Sequence, residues 1–181
     1  MDPILSTAQH AVLEIGCGHG HWLTAYATAH PATTCIGLDI ISQRVAKSQL
    51  KATKRQLNNL HFIKAEAIEF IEILPPSVSF DWIMVLFPDP WPKKRQQKRR
   101  LIQKPFTSLL ASKLSKGGYI YCVTDWEEYA YQMLDVLGST EGLENPYQGF
   151  CPAVTWRDTT KFEKKGLEKH HPINEVWFEK Q

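Results

Sequence analysis

Three glycines alternate with other residues directly after the first apolar run of the chain. That run carries a carboxylate at Glu14, and residues 16–20 read G-C-G-H-G. Glycines let the backbone turn tightly and approach a ligand closely. The spacing differs from the dinucleotide-binding pattern G-x-G-x-x-G, because position 21 is His. A carboxylate at Glu14 also suits a cationic ligand better than a pyrophosphate.

Acidic residues also follow the next two apolar runs. Asp39 stands 19 residues after Gly20, where a carboxylate can accept hydrogen bonds from ribose hydroxyls. Glu66 would lie near an adenine ring, and an acidic helix N-cap is its alternative role. Together with Glu14 and the glycines, Asp39 favours S-adenosylmethionine over NAD as the ligand.

Three prolines occupy alternate positions in the segment from Pro88 to Pro92, which reads P-D-P-W-P. Prolines rigidify the chain and prevent an immediate helix, so the turn would hold Asp89 and Trp91 at the edge of a ligand crevice. A carboxylate beside a base-sized aromatic side chain is what recognition of an extruded nucleobase uses. A stiff surface turn is the alternative, and it explains the prolines alone.

Positive charge is concentrated in one segment. The 181 residues contain 21 Lys+Arg and 19 Asp+Glu, a net charge of only +2. The segment from Lys93 to Lys104, called the basic strip below, holds seven basic and no acidic residues, so the remainder carries −5. A dense cationic strip attracts polyanions. Each phosphate that it neutralised would steepen the salt dependence of binding by roughly 0.7–0.9 in a log–log plot.

Several classes of protein are disfavoured by composition. No apolar run approaches the roughly 20 residues that span a bilayer, and the first ten residues do not read as a signal peptide. The cysteines show no C-x-x-C pairing or zinc spacing, which predicts reduced thiols, a cytoplasmic protein and no metal site. They are Cys17, Cys35, Cys122 and Cys151.

Short apolar runs alternate with stretches of helical periodicity. The predicted strands are Ala11–Ile15, Thr34–Asp39, Leu60–Lys64, Phe80–Phe87 and Tyr119–Thr124. The predicted helices are Trp22–Ala29, Ser42–Leu57, Ala67–Leu74, Gln97–Leu114 and Glu127–Leu137. Continuously apolar strands joined by helices predict an α/β fold with a doubly wound, mostly parallel sheet. Val176–Phe178 could add a strand at the sheet edge, and residues 1–181 are expected to form one domain with a very short N-terminal segment.

Four segments of the chain resemble the tRNA (guanine-N7-)-methyltransferases of the TrmB type. These belong to the class I S-adenosylmethionine-dependent methyltransferases, which have a seven-stranded Rossmann-like sheet. The segments are LEIGCGHG (13–20), FPDPWPKKR (87–95) with KRR (98–100), TDWEEYA (124–130) and TKFEKKG (160–166). Many methyltransferases share the glycine loop, whereas FPDPWPKKR and TKFE are much more specific.

The resemblance implies a role for residues at each motif. Those implied to bind the cofactor are Glu14, Gly16, Gly18, Asp39, Glu66, Ala67 and Asp89, the last also being the expected catalytic residue. Those implied to bind guanosine are Lys93, Asp125, Thr160, Lys161, Phe162 and Glu163. Those implied to contact tRNA are Arg95, Gln96, Gln97, Lys98, Arg99 and Arg100. The expected product is 7-methylguanosine at position 46 of the variable loop, made by a monomer or homodimer.

The chain departs from the family pattern at three places. Asp39 stands where Glu is common, and Asp158 follows Arg157 where Pro is usual. Only about ten residues precede the first strand, where the family usually carries a longer segment. Three other readings remain open: a class I methyltransferase with a different substrate, a non-catalytic RNA-binding module of the same fold and, last, an NAD-dependent enzyme.

Overall fold

Seven strands form one sheet in a computed structural model of the chain, which describes residues 5, 8–157, 159–168 and 170–181. The strands are β1 (Ala11–Ile15), β2 (Thr34–Asp39), β3 (Leu60–Lys64), β4 (Phe80–Leu86), β5 (Leu114–Thr124), β6 (Leu143–Glu144) and β7 (Asn174–Lys180). Their order is β3-β2-β1-β4-β5-β7-β6. The first five pair in parallel, and β7 runs antiparallel to both β5 and β6. The predicted doubly wound, mostly parallel sheet is confirmed.

Helices cover both faces of this sheet. They are α1 (His21–Ala29), α2 (Ser42–Lys54), α3 (Ala67–Glu72), α4 (Lys104–Ser112), α5 (Glu127–Gly138) and α6 (Lys161–Glu168), with a 3₁₀ helix at Lys94–Arg99. One buried cluster packs Phe70, Phe106 and Met133 of α3, α4 and α5 against the sheet. The other packs Leu23 of α1 and Ala52 of α2 against the opposite face. The apolar strands predicted from sequence are therefore apolar because both faces are buried.

The single helix predicted from Gln97 to Leu114 is wrong. The chain forms the 3₁₀ helix Lys94–Arg99, leaves helical geometry and then begins α4 at Lys104. Pro105 lies in the first turn of α4. Because proline lacks an N–H and its ring clashes with the preceding turn, an α-helix cannot continue upstream through this position. At the other end of α4, Leu114 already belongs to β5, which the sequence predicted to begin at Tyr119.

The C-terminal strand differs from its prediction in place. Val176–Phe178 lies in β7, which is not the edge of the sheet, since the short strand β6 pairs with its outer side. The sequence did not predict β6. All four cysteines are buried and free. Within the described residues, no helix combines the length and the apolar character needed to cross a membrane.

Candidate active site

The strand register brings four of the predicted motifs to one edge of the sheet. Ile15 at the end of β1 is level with Leu38 of β2 and with Val85 of β4. Leu86 of β4 is level with Val123 of β5. The segments that follow these strands therefore meet at the carboxyl edge of the sheet. Sheet growth reverses direction between β1 and β4, and such a switch point is where open α/β sheets bind ligands.

The glycine loop is held against the end of β2 by its own backbone. The N–H groups of Gly16 and Cys17 both donate to the carbonyl of Leu38, at 2.8 Å each. Gly18 donates its N–H to Oδ2 of Asp39 at 3.0 Å. Gly16 and Gly18 have φ values of +75° and +56°, and no atom lies within 4 Å of where a Cβ would stand on either. The loop is thus a fixed cradle with open space on its ligand side.

Asp39 organises the backbone beside this loop. Its Oδ1 accepts a hydrogen bond from the N–H of Ile41 at 2.8 Å, and Arg44 Nη1 lies 3.6 Å from Oδ2. The next residue, Ile40, is 67% exposed. Ile40 thus offers an apolar surface next to the carboxylate that is predicted to bind ribose. Ile40 was not predicted from the sequence, and its position directly after an apolar strand was the signal that could have found it.

Glu14 is a buried carboxylate with an unpaired oxygen. The residue is 4% exposed, and Oε2 has no hydrogen-bond partner among the described residues. Burial, with a smaller contribution from the negative charge of Asp39, raises the pKa of Glu14 to about 8. A buried polar atom without a partner costs free energy, and a buried charge costs more. A cationic group bound beside Glu14 would supply the missing partner, so the site fits the ammonium and sulfonium groups of S-adenosylmethionine.

Glu66 forms the N-cap of α3. Its Oε2 accepts hydrogen bonds from the N–H groups of Ile68 and Glu69 at 2.9 and 3.1 Å. The alternative role weighed for this residue is therefore present. Its place is also compatible with a cofactor role, because Lys64 at the end of β3 is level with Asp39. Ala67, the first residue of α3, is buried. The contact of these two residues with adenine stays a prediction.

The turn after β4 is strained on both sides of Asp89. Phe87 and Trp91 have φ values of 53° and 41°, a region that bulky residues rarely adopt and that costs on the order of 1–3 kcal/mol per residue. The N–H of Phe87 donates to the carbonyl of Val123 of β5 at 2.8 Å, which fixes the start of the turn. Asp89 is exposed, with no hydrogen bond or ion pair to the described part of the chain. Its carboxylate is available to a ligand.

Arg100 holds this turn against α5. Its Nε donates to the carbonyl of Pro90 at 2.8 Å, and its Nη1 donates to Oε1 of Gln132 at 2.6 Å. The guanidinium also pairs with Glu128 at 3.3 Å and lies 4.8 Å from the centre of the Tyr129 ring. The Arg100 side chain is 1% exposed. The tRNA contact predicted for Arg100 conflicts with this placement, because its donors are buried and already bonded to protein.

The other residues of the basic strip remain at the surface. The exposed cations are Lys93, Lys94, Arg95, Lys98, Arg99 and Lys104, and Gln96 and Gln97 are half-buried. Arg99 lies 5.0 Å from the centre of the Trp91 ring, within range of a cation–π contact. Gln97 donates to Glu128 Oε1 at 2.6 Å. The strip therefore presents six exposed cations, five of which precede Arg100 and follow the Asp89 turn directly.

Thr160 and Glu163 form a reciprocal cap at the start of α6. Thr160 Oγ1 accepts from the N–H of Glu163 at 3.0 Å, and Glu163 Oε2 accepts from the N–H of Thr160 at 3.2 Å. This is a capping box. Lys161 and Phe162 belong to the helix, but their side chains lie outside the described part of the structure, as does all of Asp158.

Glu163 also binds a buried arginine that the sequence did not assign to the site. Arg157 donates from both Nη atoms to Glu163, and its Nη2 lies 3.1 Å from Glu175 Oε1. Its Nε donates to the hydroxyl of Tyr121 at 3.0 Å. Glu163 is thus engaged with protein partners in this conformation. A basic residue three positions before Thr160 was the available signal.

Asp125 and α6 are brought together. A Cβ placed on Gly166 of α6 would lie 3.0 Å from the Asp125 Cβ. Oδ2 of Asp125 is 3.5 Å from Nδ1 of His171, and the Asp125 side chain is 33% exposed. Because Asp125 directly follows β5, its carboxylate stands at the same sheet edge as Asp89. Asp125 is therefore a partly exposed carboxylate at this edge, and its contact with guanosine stays a prediction.

Comparison with known proteins agrees with this geometry. A sequence profile for a family described as "Putative methyltransferase" matches residues 8–176. The protein named tRNA (guanine-N(7)-)-methyltransferase of Dechloromonas aromatica (strain RCB) is 43% identical over 170 residues, which cover 94% of this chain and 69% of the relative. The protein of the same name in Ralstonia pickettii (strain 12J) is 42% identical over 170 residues, covering 94% and 66%. The chain thus spans about two thirds of the length of these relatives.

A solved structure shares the fold. The antibiotic-resistance methyltransferase Kmr superposes with a TM-score of 0.65 at 16% identity, over 99% of this chain and 90% of that chain. At that identity the likeness shows the fold alone, which is the Rossmann-like fold of class I methyltransferases. With the profile match and the two relatives above, it follows that the chain belongs to the tRNA (guanine-N7-)-methyltransferase family.

Proposed function

We propose that this chain transfers a methyl group from S-adenosylmethionine to N7 of a guanine in tRNA, at position 46 of the variable loop. The observation that carries the proposal is the meeting of two carboxylates at one sheet edge. One is the buried and unpaired Glu14 beside the open glycine loop, and the other is the exposed Asp89 next to the basic strip. The relatives that match most of the chain bear the name of this activity.

The cofactor would be held by the residues gathered behind the switch point. Glu14 would pair with its positive charge, and Asp39 would accept hydrogen bonds from its ribose hydroxyls. Gly16 and Gly18 would let it approach the backbone closely, and Glu66 with Ala67 would flank its adenine. When bound, S-adenosylmethionine supplies an electrophilic methyl group on a sulfonium.

The chain needs no general base for this reaction. N7 of guanine carries an in-plane lone pair and no proton at neutral pH, so no proton has to be removed before it attacks. The protein therefore acts by holding the base in line and by stabilising charge as it moves from the sulfonium to the purine. Asp89 is the carboxylate proposed to lie beside the reacting atoms.

Recognition of guanine would use acceptors at the same edge. Guanine offers an N1–H and an exocyclic amine side by side, which a carboxylate can accept together. Asp125 is the partly exposed carboxylate proposed for this role, and Lys93 and Thr160 are also proposed to contact the guanosine. Adenine lacks that donor pair and would leave the carboxylate without its partners in the bound complex, which a polar site penalises.

The proposal is tested by incubating the protein with labelled S-adenosylmethionine and unmodified tRNA, then mapping the product. Borohydride reduction followed by aniline cleaves RNA at 7-methylguanosine, so cleavage at position 46 is expected. Tight tRNA binding without transfer would favour a non-catalytic RNA-binding module, and label on another base would identify a different methyltransferase. The cytoplasmic location and the monomer or homodimer state stay predictions.

A further inference from the structure

A second basic surface lies on α2, outside the site described above. From Ile40 to Ala65 the chain holds six basic residues and no acidic one. We propose that the exposed cations of this helix bind the phosphate backbone of the tRNA substrate, away from the target base. This inference rests on the proposed function for the identity of the RNA.

The basic residues follow one stripe of the helix. Arg44, Lys47, Lys51 and Lys54 are spaced three, four and three residues apart, and Arg55 follows directly. Residues three and four apart lie on the same helical face. At a rise of 1.5 Å per residue, the stripe is roughly 15 Å long, enough for more than one backbone phosphate.

Two members of the stripe, Arg44 and Lys51, support the glycine loop. Arg44 lies 3.6 Å from Asp39, and Lys51 Nζ donates to the carbonyl of His19 at 2.7 Å. Ser48, between them on the same face, lies 3.4 Å from the carbonyl of Gly18 through its Oγ. These contacts fix α2 against the glycine loop, so the stripe begins at the active-site edge and leads away from it.

The other three members of the stripe, called the outer cations below, are open to solvent. Lys47, Lys54 and Arg55 are exposed, and their side chains make no hydrogen bond or ion pair within the described residues. Like charges at this spacing repel one another, which destabilises a helix by tenths of a kcal/mol per pair. An acidic residue three or four positions from these cations would relieve that repulsion, and α2 contains none. The absence of one is what a surface that binds an anion requires.

The surface around these cations is concave. One depression of about 290 Å³ is lined by His19, His21, Lys47 and Lys51, and all four side chains are nitrogen bases. A neighbouring depression of about 320 Å³ is lined by Lys47, Leu50, Lys51, Lys54 and Arg55. Four of these five residues are cationic, and Leu50 is the single apolar one. This lining is mostly cationic and suits phosphate oxygens better than the apolar core of a protein interface, to which it would offer Leu50 alone.

The two basic surfaces stand on either side of the glycine loop. The stripe follows β2 and the basic strip follows β4, and at about 4.8 Å per strand these two strands are roughly 10 Å apart. Together the two segments hold 13 of the 21 Lys+Arg and none of the 19 Asp+Glu. Lys54 lies at the far end of α2, roughly 18 Å along the helix axis from Ser42, so a polyanion that contacts both the strip and Lys54 must be larger than the target loop. A whole tRNA meets that requirement, whereas a short stem-loop around the target guanine reaches the strip alone.

The test compares two triple variants of the full chain. Lys47→Ala with Lys54→Ala and Arg55→Ala removes the outer charges, and Lys47→Arg with Lys54→Arg and Arg55→Lys retains them. Binding of unmodified tRNA is measured over a salt series. The alanine variant should bind more weakly, with a log–log slope shallower by about 0.7–0.9 for each phosphate that the helix no longer neutralises. The charge-retaining variant should match the wild type. Equal slopes and affinities for the alanine variant and the wild type would overturn the inference.

Two further comparisons exclude general effects. Lys116→Ala removes one exposed cation near the start of β5, at the opposite end of the sheet, and it should leave the slope unchanged while Lys54→Ala lowers it. A stem-loop of the variable region should bind the alanine triple variant as it binds the wild type, because it does not reach α2. Equal losses for stem-loop and whole tRNA would indicate damage to the site and overturn the inference.

Failure of the proposed function has a different signature. If the wild type binds tRNA with a steeper salt slope than the alanine triple variant but transfers no methyl group, the α2 surface is supported and the proposed enzymatic activity is wrong. If the wild type methylates tRNA and the triple variant binds tRNA with the same salt slope, the α2 surface alone is overturned. A wild-type protein that does not bind tRNA would overturn both.

Discussion

At the scale of single residues, the site depends on where carboxylates are exposed and where they are buried. Glu14 is 4% exposed with an unpaired oxygen, whereas Asp89 is exposed on a turn. The first is suited to a cationic group held inside the sheet edge. The second is suited to a ligand that approaches from solvent. The two carboxylates therefore serve different partners although they stand at one edge.

Glu14→Gln should change how stability depends on pH. Burial raises the pKa of Glu14 from 4.5 to about 8 in the folded chain, so the folded state binds more protons than the unfolded state between these values. The contribution of Glu14 to stability is full below pH 4.5 and is lost as pH rises through 8. Its slope is at most about 1.4 kcal/mol per pH unit.

Urea denaturation of the cofactor-free protein at several pH values checks this. The wild type should lose stability between pH 5 and 8 more steeply than Glu14→Gln, whose amide does not titrate. Parallel profiles for the two proteins would show that Glu14 is ionised in the folded state throughout. Asp81→Asn, a change to a carboxylate outside the site, serves as the control.

Asp89→Ala should remove methyl transfer without unfolding the protein. The side chain is exposed and has no partner among the described residues, so its loss costs the fold little. Loss of a charge placed beside a reacting centre typically costs on the order of 100-fold or more in rate. Single-turnover rates with tRNA and thermal unfolding midpoints provide the two measurements. Wild-type turnover in Asp89→Ala, or in the isosteric Asp89→Asn, would remove Asp89 from the mechanism.

At the scale of elements, the Asp89 turn depends on a contact made outside its own sequence. Prolines and two residues with positive φ define the shape of the turn. Arg100 then ties the carbonyl of Pro90 to Gln132 and Glu128 of α5. A strained segment persists only where its surroundings hold it in place. Arg100 is therefore a positioning residue for the turn.

Arg100→Ala should change the stability of the fold alone, and Arg99→Ala should change the salt slope of tRNA binding alone. Arg100→Ala loses several charged hydrogen bonds in a buried place, which should destabilise the fold by about 1–3 kcal/mol. It should leave the salt slope of tRNA binding unchanged. Arg99→Ala should leave stability within about 0.5 kcal/mol of the wild type and lower the slope by roughly 0.7–0.9.

Urea denaturation and tRNA titration over a salt series check both variants side by side. The assignment of Arg100 would fail if its alanine variant kept wild-type stability and lowered the salt slope as Arg99→Ala does. Arg100→Lys is the matched test of geometry, because it keeps the charge but not the planar set of donors. It should recover little of the stability that the alanine variant loses.

The elements that could be predicted are those written in local patterns. Apolar runs predicted β1 to β4 to within one residue and the second half of β5, and the glycine spacing predicted the loop that follows β1. The break before α4 could also have been predicted, because Pro105 would lie in the interior of the helix predicted from Gln97 to Leu114, where proline breaks or kinks a helix. Strand β6 is only two residues long, and so short a strand leaves no periodicity to detect.

The parts of the site that could not be predicted depend on distant partners. In the sequence, Arg100 is one cation among seven in the basic strip, and its burial follows from Glu128 and Gln132 on a helix that comes after another strand. The contacts of Glu163 likewise depend on residues far away in the sequence. Its engagement by Arg157 exists because β5 and β7 place Tyr121 and Glu175 around that guanidinium. Neither partner set has a signature in the neighbouring residues.

At the scale of the whole molecule, the net charge of +2 is a balance of separated regions. The basic strip carries +7, the segment from Ile40 to Ala65 carries +6, and the rest of the chain carries −11. Separated charge of this kind produces local potentials that guide an approaching polyanion, even though the total is near zero. Both positive regions begin at the carboxyl edge of the sheet, one after β2 and the other after β4. The RNA would therefore be guided towards the edge where Glu14 and Asp89 stand.

The contact between Arg100 and α5 also affects the thermodynamics of binding. Asp89 lies in the turn that Arg100 ties to α5, and Asp125 lies two residues before that helix begins. The two carboxylates are thus carried by parts of the protein that are fastened to each other before any ligand arrives. Ordering a loop on binding costs conformational entropy, and a site already ordered avoids that cost. Guanine binding at this edge should therefore show a small entropic penalty on the protein side, with most of the ordering confined to the RNA.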